Sequence, residues 1–156
     1  MKVLRIQPKK YPEVIEIDGS LESLQKEVAG PIQAVYPWDD PVALICNEEG
    51  KLAEDSFSNC NRVLYNEIGI PYDIVVGTFL IVGLTEDDFG DLSQELIQRY
   101  EKLFHNPEEF NYFTDAQGRT HLDVRLVNLK ITRNNPLPSQ MHESFGESEA
   151  LFILGQ

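Results

Sequence analysis

Apolar and polar positions along this chain alternate between a strand-like and a helix-like period. MKVLRI is a short apolar-rich run closed by Pro8 and predicts an opening strand. EVIEID sets Val14, Ile15 and Ile17 among acids and predicts a second short strand. In GSLESLQKEVAG the period lengthens. Leu21, Leu24 and Val28 recur at helical spacing behind Ser20, a good N-cap, with Glu22 at the positive end and Gly30 at the stop. That predicts a helix over about 20–29. PIQAVYP predicts a strand ending at Pro37, and after the turn residues WDDP the run VALIC is apolar enough for a buried central strand.

Asn47-Glu48-Glu49-Gly50 reads as a tight turn, residues 53–60 as a small polar loop, and NRVLYN as short and ambiguous. YDIVVGTFLIVGL is the most apolar segment and is interrupted by Gly77. It predicts either a core strand with a bulge or two strands meeting at the glycine. Residues 85–104 read as helical. Thr85 caps a first short turn, TEDDFG, and Ser93 then caps a main helix over about 93–104 with Leu96, Ile97, Tyr100, Leu103 and Phe104 on one face. EEFNYF and HLDVRLVNLKI flank TDAQGR as a hairpin, and a shift of apolar phase predicts a bulge near Leu126. LFIL predicts a docked edge strand; left undocked, it would favour a homo-oligomer or another partner. The sum is an α+β domain over 1–132, a mostly antiparallel sheet with two main helices, followed by an extension over 133–156 docked on the body.

Charge changes the picture most. Thirteen basic residues against 26 acidic ones give a net charge of -13 in 156 residues. The bases are weakly gathered, with Lys2, Arg5, Lys9 and Lys10 at the start and the rest scattered, so direct nucleic-acid binding is disfavoured. An acidic surface instead attracts a basic protein. The run Glu86, Asp87, Asp88, Asp91, Glu95 contains no base and is the candidate acidic interaction face; helix-dipole matching accounts for Glu95 and Glu86 but not for the whole run. No stretch is long and apolar enough for a membrane span and no signal-peptide core is visible, so a cytoplasmic protein is expected, off the membrane.

Candidate chemistry is sparse. Cys46 and Cys60 lack the CxxC pairing of a zinc site, and His105, His121 and His142 fall in separate elements, so neither metal nor cofactor is expected. Two cysteines are too few for a disulfide framework. No GxSxG elbow, GxxxxGK[ST] or GxGxxG is present. Cys46 has acids downstream, which raise a thiol pKa. A hydrolase using Cys46, Glu48 or His121 is the least favoured reading, and a binder the first.

The motifs EIDGSLESLQ, AVYPWDDPVALICNEEGKL, Asn61-Arg62 and DIVVGTFLIVG, in that order, resemble a family of short proteins described as a domain of unknown function. The likeness runs from Met1 to Phe104, and the family is found in Gram-positive bacteria, their phages and conjugative elements. It implies a mobile-element setting, in which small acidic proteins antagonise host defence by imitating DNA charge or sequestering nucleotide signals. Within these motifs Asn47 and Asn61 read as amides that organise backbone. Asn61, Arg62, Asp73 and Thr78 form the candidate ligand-facing patch, with Arg62 either pairing with Asp73 or reaching an anionic ligand. The expected function is thus a non-enzymatic accessory binder acting on a basic host partner; a sponge for a small anionic nucleotide-like ligand is the alternative.

Overall fold

The structure, a computed structural model, describes residues 1–127 and the backbone of 142–145. In chain order the elements are β1 (Lys2–Ile6), β2 (Glu13–Glu16), α1 (Leu21–Val28), β3 (Ile32–Val35), β4 (Val42–Asn47), β5 (Cys60–Tyr65), β6 (Pro71–Val76), β7 (Phe79–Leu84), β8 (Phe89–Gly90), α2 (Gln94–Leu103), β9 (Glu108–Thr114), β10 (Thr120–Leu126) and β11 (His142–Phe145). The fold is α+β, with antiparallel sheets and two helices.

β7 lies at the centre of the main sheet, in the order β2-β1-β7-β4-β3, with β8 paired to its end. Both faces of this sheet are covered, which explains the continuous apolar runs. Leu4, Ile6, Val42, Leu44, Phe79 and Ile81 point to the α2 side, where Ile97, Tyr100 and Phe104 meet them. Val3, Ala43, Ile45, Leu80 and Val82 point the other way, onto Leu24 and Val28 of α1. This is the period-two alternation of a strand with two buried faces.

β5 and β6 form a separate two-stranded ribbon packed across the α2 side. Its Leu64 and Val75 join the main core, while Cys60, Val63, Ile74 and Val76 face Leu122 and Val124 of the β11-β10-β9 sheet. The long apolar segment therefore divides into β6 and β7, which belong to different sheets. Gly77, at φ +81°, makes the switch; a side chain there would strain the left-handed backbone.

Both helices carry the expected caps. Ser20 accepts from the amide of Ser23 at 3.1 Å and Ser93 from that of Leu96 at 3.3 Å. At the end of α1 the left-handed residue is Ala29, not Gly30. Gly30 makes room for a neighbouring side chain: a Cβ there would lie 2.6 Å from Asn47 Nδ2, which would have to shift. That amide donates to the carbonyls of Val28 and Ala29 while Asn47 Oδ1 accepts from Glu49, so Asn47 joins the helix end to the following turn.

Residues 85–92 depart from the expected helix. Thr85 Oγ1 accepts from the Asp88 amide at 3.1 Å, and the Thr85 amide donates to the Asp88 carbonyl at 2.8 Å, closing a hairpin between β7 and β8. The β9–β10 register is unbroken to the pair Leu126↔Glu108. The extension over 133–156 and its LFIL end lie outside the described residues, apart from the backbone of β11, which pairs with β10.

Candidate functional site

The Asn61-Arg62 pair sits at a β-bulge. Cys60 opposes Val76 and Arg62 opposes Val75, so Asn61 is the extra residue on β5. The bulge breaks the in-out alternation and turns two consecutive polar side chains inward. Both are 0% exposed. Asn61 Nδ2 donates to the carbonyls of Ile6 (2.9 Å) and Gly77 (2.8 Å), binding the end of β1 to the β6–β7 switch. Arg62 donates to the carbonyl of Phe104 from Nε (3.2 Å) and Nη2 (3.0 Å), to that of Lys10 from Nη2 (2.8 Å), and to Asn61 Oδ1 from Nη1 (2.8 Å).

Burial pushes the Arg62 guanidinium down to about 10, with the nearby Glu108 carboxylate opposing the shift. Glu108 itself is buried and accepts the amide of Val63 at 3.0 Å. The planar fork of an arginine meets carbonyls in several directions at once, which a lysine cannot do. Together the two side chains close four distant carbonyls onto β5, those of Ile6 and Gly77 through Asn61 and those of Lys10 and Phe104 through Arg62.

The other expected patch residues stand apart from this centre. Asp73 pairs with Lys51 at 2.5 Å rather than with Arg62, and also accepts its neighbour Ile74's amide. Thr78 is half-buried in the switch between β6 and β7. Asn61 and Arg62 thus join in one network, while Asp73 joins the turn after β4 through Lys51.

Burial pushes Cys46 up to about 11, with Asp73 adding to the rise, and pushes Cys60 up to about 12. His121 lies against Asp115 (2.8 Å) at the β9–β10 hairpin, and His105 against Glu101 (2.7 Å) on α2. Among the described residues no group of three or more His, Cys, Asp or Glu is placed to hold a metal ion.

The acidic run is exposed along the β7–β8 hairpin and the start of α2. Its members divide by task. Asp91 Oδ1 accepts the Lys2 amide at 2.7 Å, Asp88 Oδ1 accepts that of Phe89 at 2.7 Å, and Glu95 pairs with Arg99 at 3.3 Å. Glu86 and Asp87 carry their charge outward with no such bond among the described residues.

A groove of about 1390 Å³ opens on the other side of α2, between the helix and the β5–β6 ribbon. Trp38 forms one wall, its ring 4.6 Å from Tyr100 and 5.9 Å from Phe104. Asp40 accepts from Arg99 at 2.6 Å and from the Tyr100 hydroxyl at 2.7 Å, bonds that hold its carboxyl below the usual carboxylate range. Trp38 and Asp40 sit in a turn motif, and Tyr100, which meets both, is 60 residues beyond Asp40, so only the fold unites them.

Antiparallel sheet, buried arginine centre and exposed acidic hairpin together define an α+β module closed internally by polar side chains. The chain belongs to the family described as a domain of unknown function, DUF3846, whose model matches residues 1–105. That span contains every partner of the Asn61-Arg62 network except Glu108, and it leaves β9, β10 and β11 outside. No curated protein and no solved structure matches the chain. No helix among the described residues is long and apolar enough to cross a membrane.

Proposed function

We propose that this protein is a non-enzymatic binder that acts in the cytoplasm by presenting an acidic surface to a basic host protein. The carrying observation is the placement of Glu86 and Asp87 at the exposed tip of the β7–β8 hairpin, inside a run of five acids without an intervening base. A net charge of -13 steers a positively charged partner toward it. The mobile-element setting implied by the sequence motifs makes counter-defence the biological role that fits this chemistry.

The burial of Arg62 favours this form over a nucleotide sponge, because the guanidinium that would hold an anion is spent on backbone carbonyls. Raised thiol pKa values at Cys46 and Cys60 argue in the same direction against nucleophilic hydrolysis.

The test is retention of a host protein on the immobilised chain at low salt, compared with a Glu86→Lys/Asp87→Lys variant. A partner that elutes as salt rises and is lost on charge reversal supports the reading. A partner held equally by both proteins, or insensitive to salt, removes it. These two positions leave the backbone bonds of Asp88 and Asp91 in place, so the fold is retained while the charge inverts.

A further inference from the structure

The buried apolar side chains fall into clusters that divide at the end of the family span. Those on the two faces of the main sheet are built from residues 1–104, all inside that span. The remaining cluster lies between the ribbon and the appended sheet. The ribbon contributes Cys60, Val63, Ile74 and Val76; the β9–β10 hairpin contributes Leu122 and Val124, with Phe110 and Tyr112 packed beside them. Among the described residues no strand of the β11-β10-β9 sheet pairs with a strand of the other two sheets, so no backbone ladder crosses this boundary. Apolar burial holds the two parts together, with the Glu108 carboxylate accepting the Val63 amide at 3.0 Å.

Each part keeps its own framework when the two separate. The hydrogen bonds of Arg62 to Phe104, Lys10 and Asn61 all lie within residues 1–105, so that centre does not depend on Glu108 for its geometry. The hairpin closes on itself through its β9–β10 register and through the Val127 amide, which donates to the Pro107 carbonyl at 2.7 Å. The boundary also carries a standing cost. The Tyr112 ring stacks on Phe57 at 4.2 Å, and its hydroxyl, close to Cys60, is buried with no hydrogen-bond partner among the described residues. Such a group recovers a water partner when the boundary opens.

Proteins open locally in contiguous cooperative units, and a unit bound by side-chain burial without a shared ladder is the one that opens first. We propose that the β9–β10 hairpin is a detachable cap. Residues 107–126 open as one unit on a still-folded 1–105 module and uncover the apolar ribbon face of Cys60, Val63, Ile74 and Val76. The pivot falls at Asn106. On one side Phe104 is held by Arg62 and His105 stacks on Tyr11 at 4.7 Å; on the other, Pro107 begins the closed hairpin. The cap is an intramolecular cover for a face of the family module. Glu86 and Asp87 lie outside the opening segment, so the binding proposed for them stands or falls independently of the cap.

Native-state amide exchange of the full chain tests the proposal, with alkylation of Cys60 as a second reporter of the same opening. In the wild type the hydrogen-bonded amides of β9 and β10 share one protection factor, lower than that of β7 by about tenfold or more. Leu122→Ala empties part of the shared cluster, and it speeds both cap exchange and Cys60 alkylation by about 30-fold or more. Ile81→Val trims the main core instead. It speeds β7 exchange by about two- to tenfold and leaves the cap amides and Cys60 at their wild-type rates. A cap as protected as β7, or one that quickens with Ile81→Val, means that the chain opens as a single unit and overturns the proposal. So does a Cys60 whose alkylation fails to quicken with Leu122→Ala.

Discussion

Arg62 grips the carbonyl of Phe104 with two of its nitrogens, at 3.2 and 3.0 Å, and so fixes the end of α2 to the bulged strand β5. Phe104 is the C-cap of α2, and its carbonyl is among those left without a partner inside the helix. The same guanidinium takes the Lys10 carbonyl from the β1–β2 connection. A single side chain therefore satisfies backbone groups that would otherwise be buried unpaired, and joins the helix to both the ribbon and the main sheet.

Arg62→Ala leaves the carbonyls of Phe104 and Lys10 without their donors. Each orphaned buried acceptor costs about 1–3 kcal/mol, so a loss of roughly 3 kcal/mol or more in unfolding free energy is expected. Arg62→Lys also destabilises strongly, because an ammonium on a flexible stem cannot reproduce the fork. Urea denaturation of both variants measures this. An Arg62→Lys protein as stable as the wild type would show that charge alone, without fork geometry, holds the centre.

Gly83 faces the backbone of the β8 end so closely that a Cβ would stand 2.1 Å from the Asp91 carbonyl oxygen and 2.8 Å from its carbon. These are main-chain atoms and cannot rotate aside. The adjoining Leu92 is in the core and its amide donates to the Lys2 carbonyl at 2.8 Å, so the segment cannot simply lift. Gly83→Ala is expected to lose about 1–3 kcal/mol or to detach the 89–92 segment, read as a lower denaturation midpoint together with faster amide exchange at Leu92. A variant matching the wild type in both measurements would contradict the close approach.

Strong local signals were legible in the residues. Ser20 and Ser93 announced their helices because capping is a matter of three neighbouring residues. VALIC announced a central strand because both its faces are buried. Gly77 left open a bulge or two strands, since a positive φ is visible in a glycine but the sheet to which each arm belongs is not. Residues 85–92 read as helix because Thr85 and Asp88 are equally good caps and turn formers; the close approach of Gly83 to Asp91, a tertiary contact, makes them a hairpin. Arg62 was legible as important, and an internal role was open only through a pairing with Asp73, which goes to Lys51 instead. Whether a guanidinium is buried depends on carbonyls at Lys10 and Phe104, more than 40 residues away on either side. The groove depends likewise on Asp40 meeting Tyr100.

The raised thiol pKa values make a chemical prediction. A free cysteine titrates near ~8.5 and is partly ionised in mildly alkaline buffer, whereas Cys46 at about 11 and Cys60 at about 12 remain protonated. Alkylation by iodoacetamide at mildly alkaline pH should be slower than for a free thiol by on the order of 10² or more, with Cys60 the slower of the two. Unfolding in urea should bring both to the ordinary rate. Mass spectrometry over a time course follows each site. Rapid labelling of Cys46 in the folded chain would reopen the nucleophile reading.

Acid sensitivity of the β9–β10 hairpin rests on Asp115. Its carboxylate lies 2.8 Å from His121 Nε2 and accepts the amides of Gln117 and Arg119, each at 2.9 Å. The His121 contact first, and the Arg119 amide after it, lower its pKa to about 2. An unfolded aspartate titrates near ~3.9, so the folded state binds this proton more weakly than the unfolded state does. The stabilisation is therefore complete above about pH 4 and is lost as the pH falls toward about 2. Asp115→Asn keeps an oxygen that can accept the turn amides but removes the charge. The variant should melt below the wild type at neutral pH, and the gap should close as pH is lowered through this window. Asp18 and Asp40 also have lowered pKa values, so the wild type keeps some acid dependence after the substitution, with a shallower slope. Parallel melting curves for the two proteins from neutral to acid pH would mean that the ionised carboxylate contributes nothing to the hairpin beyond its hydrogen-bond geometry.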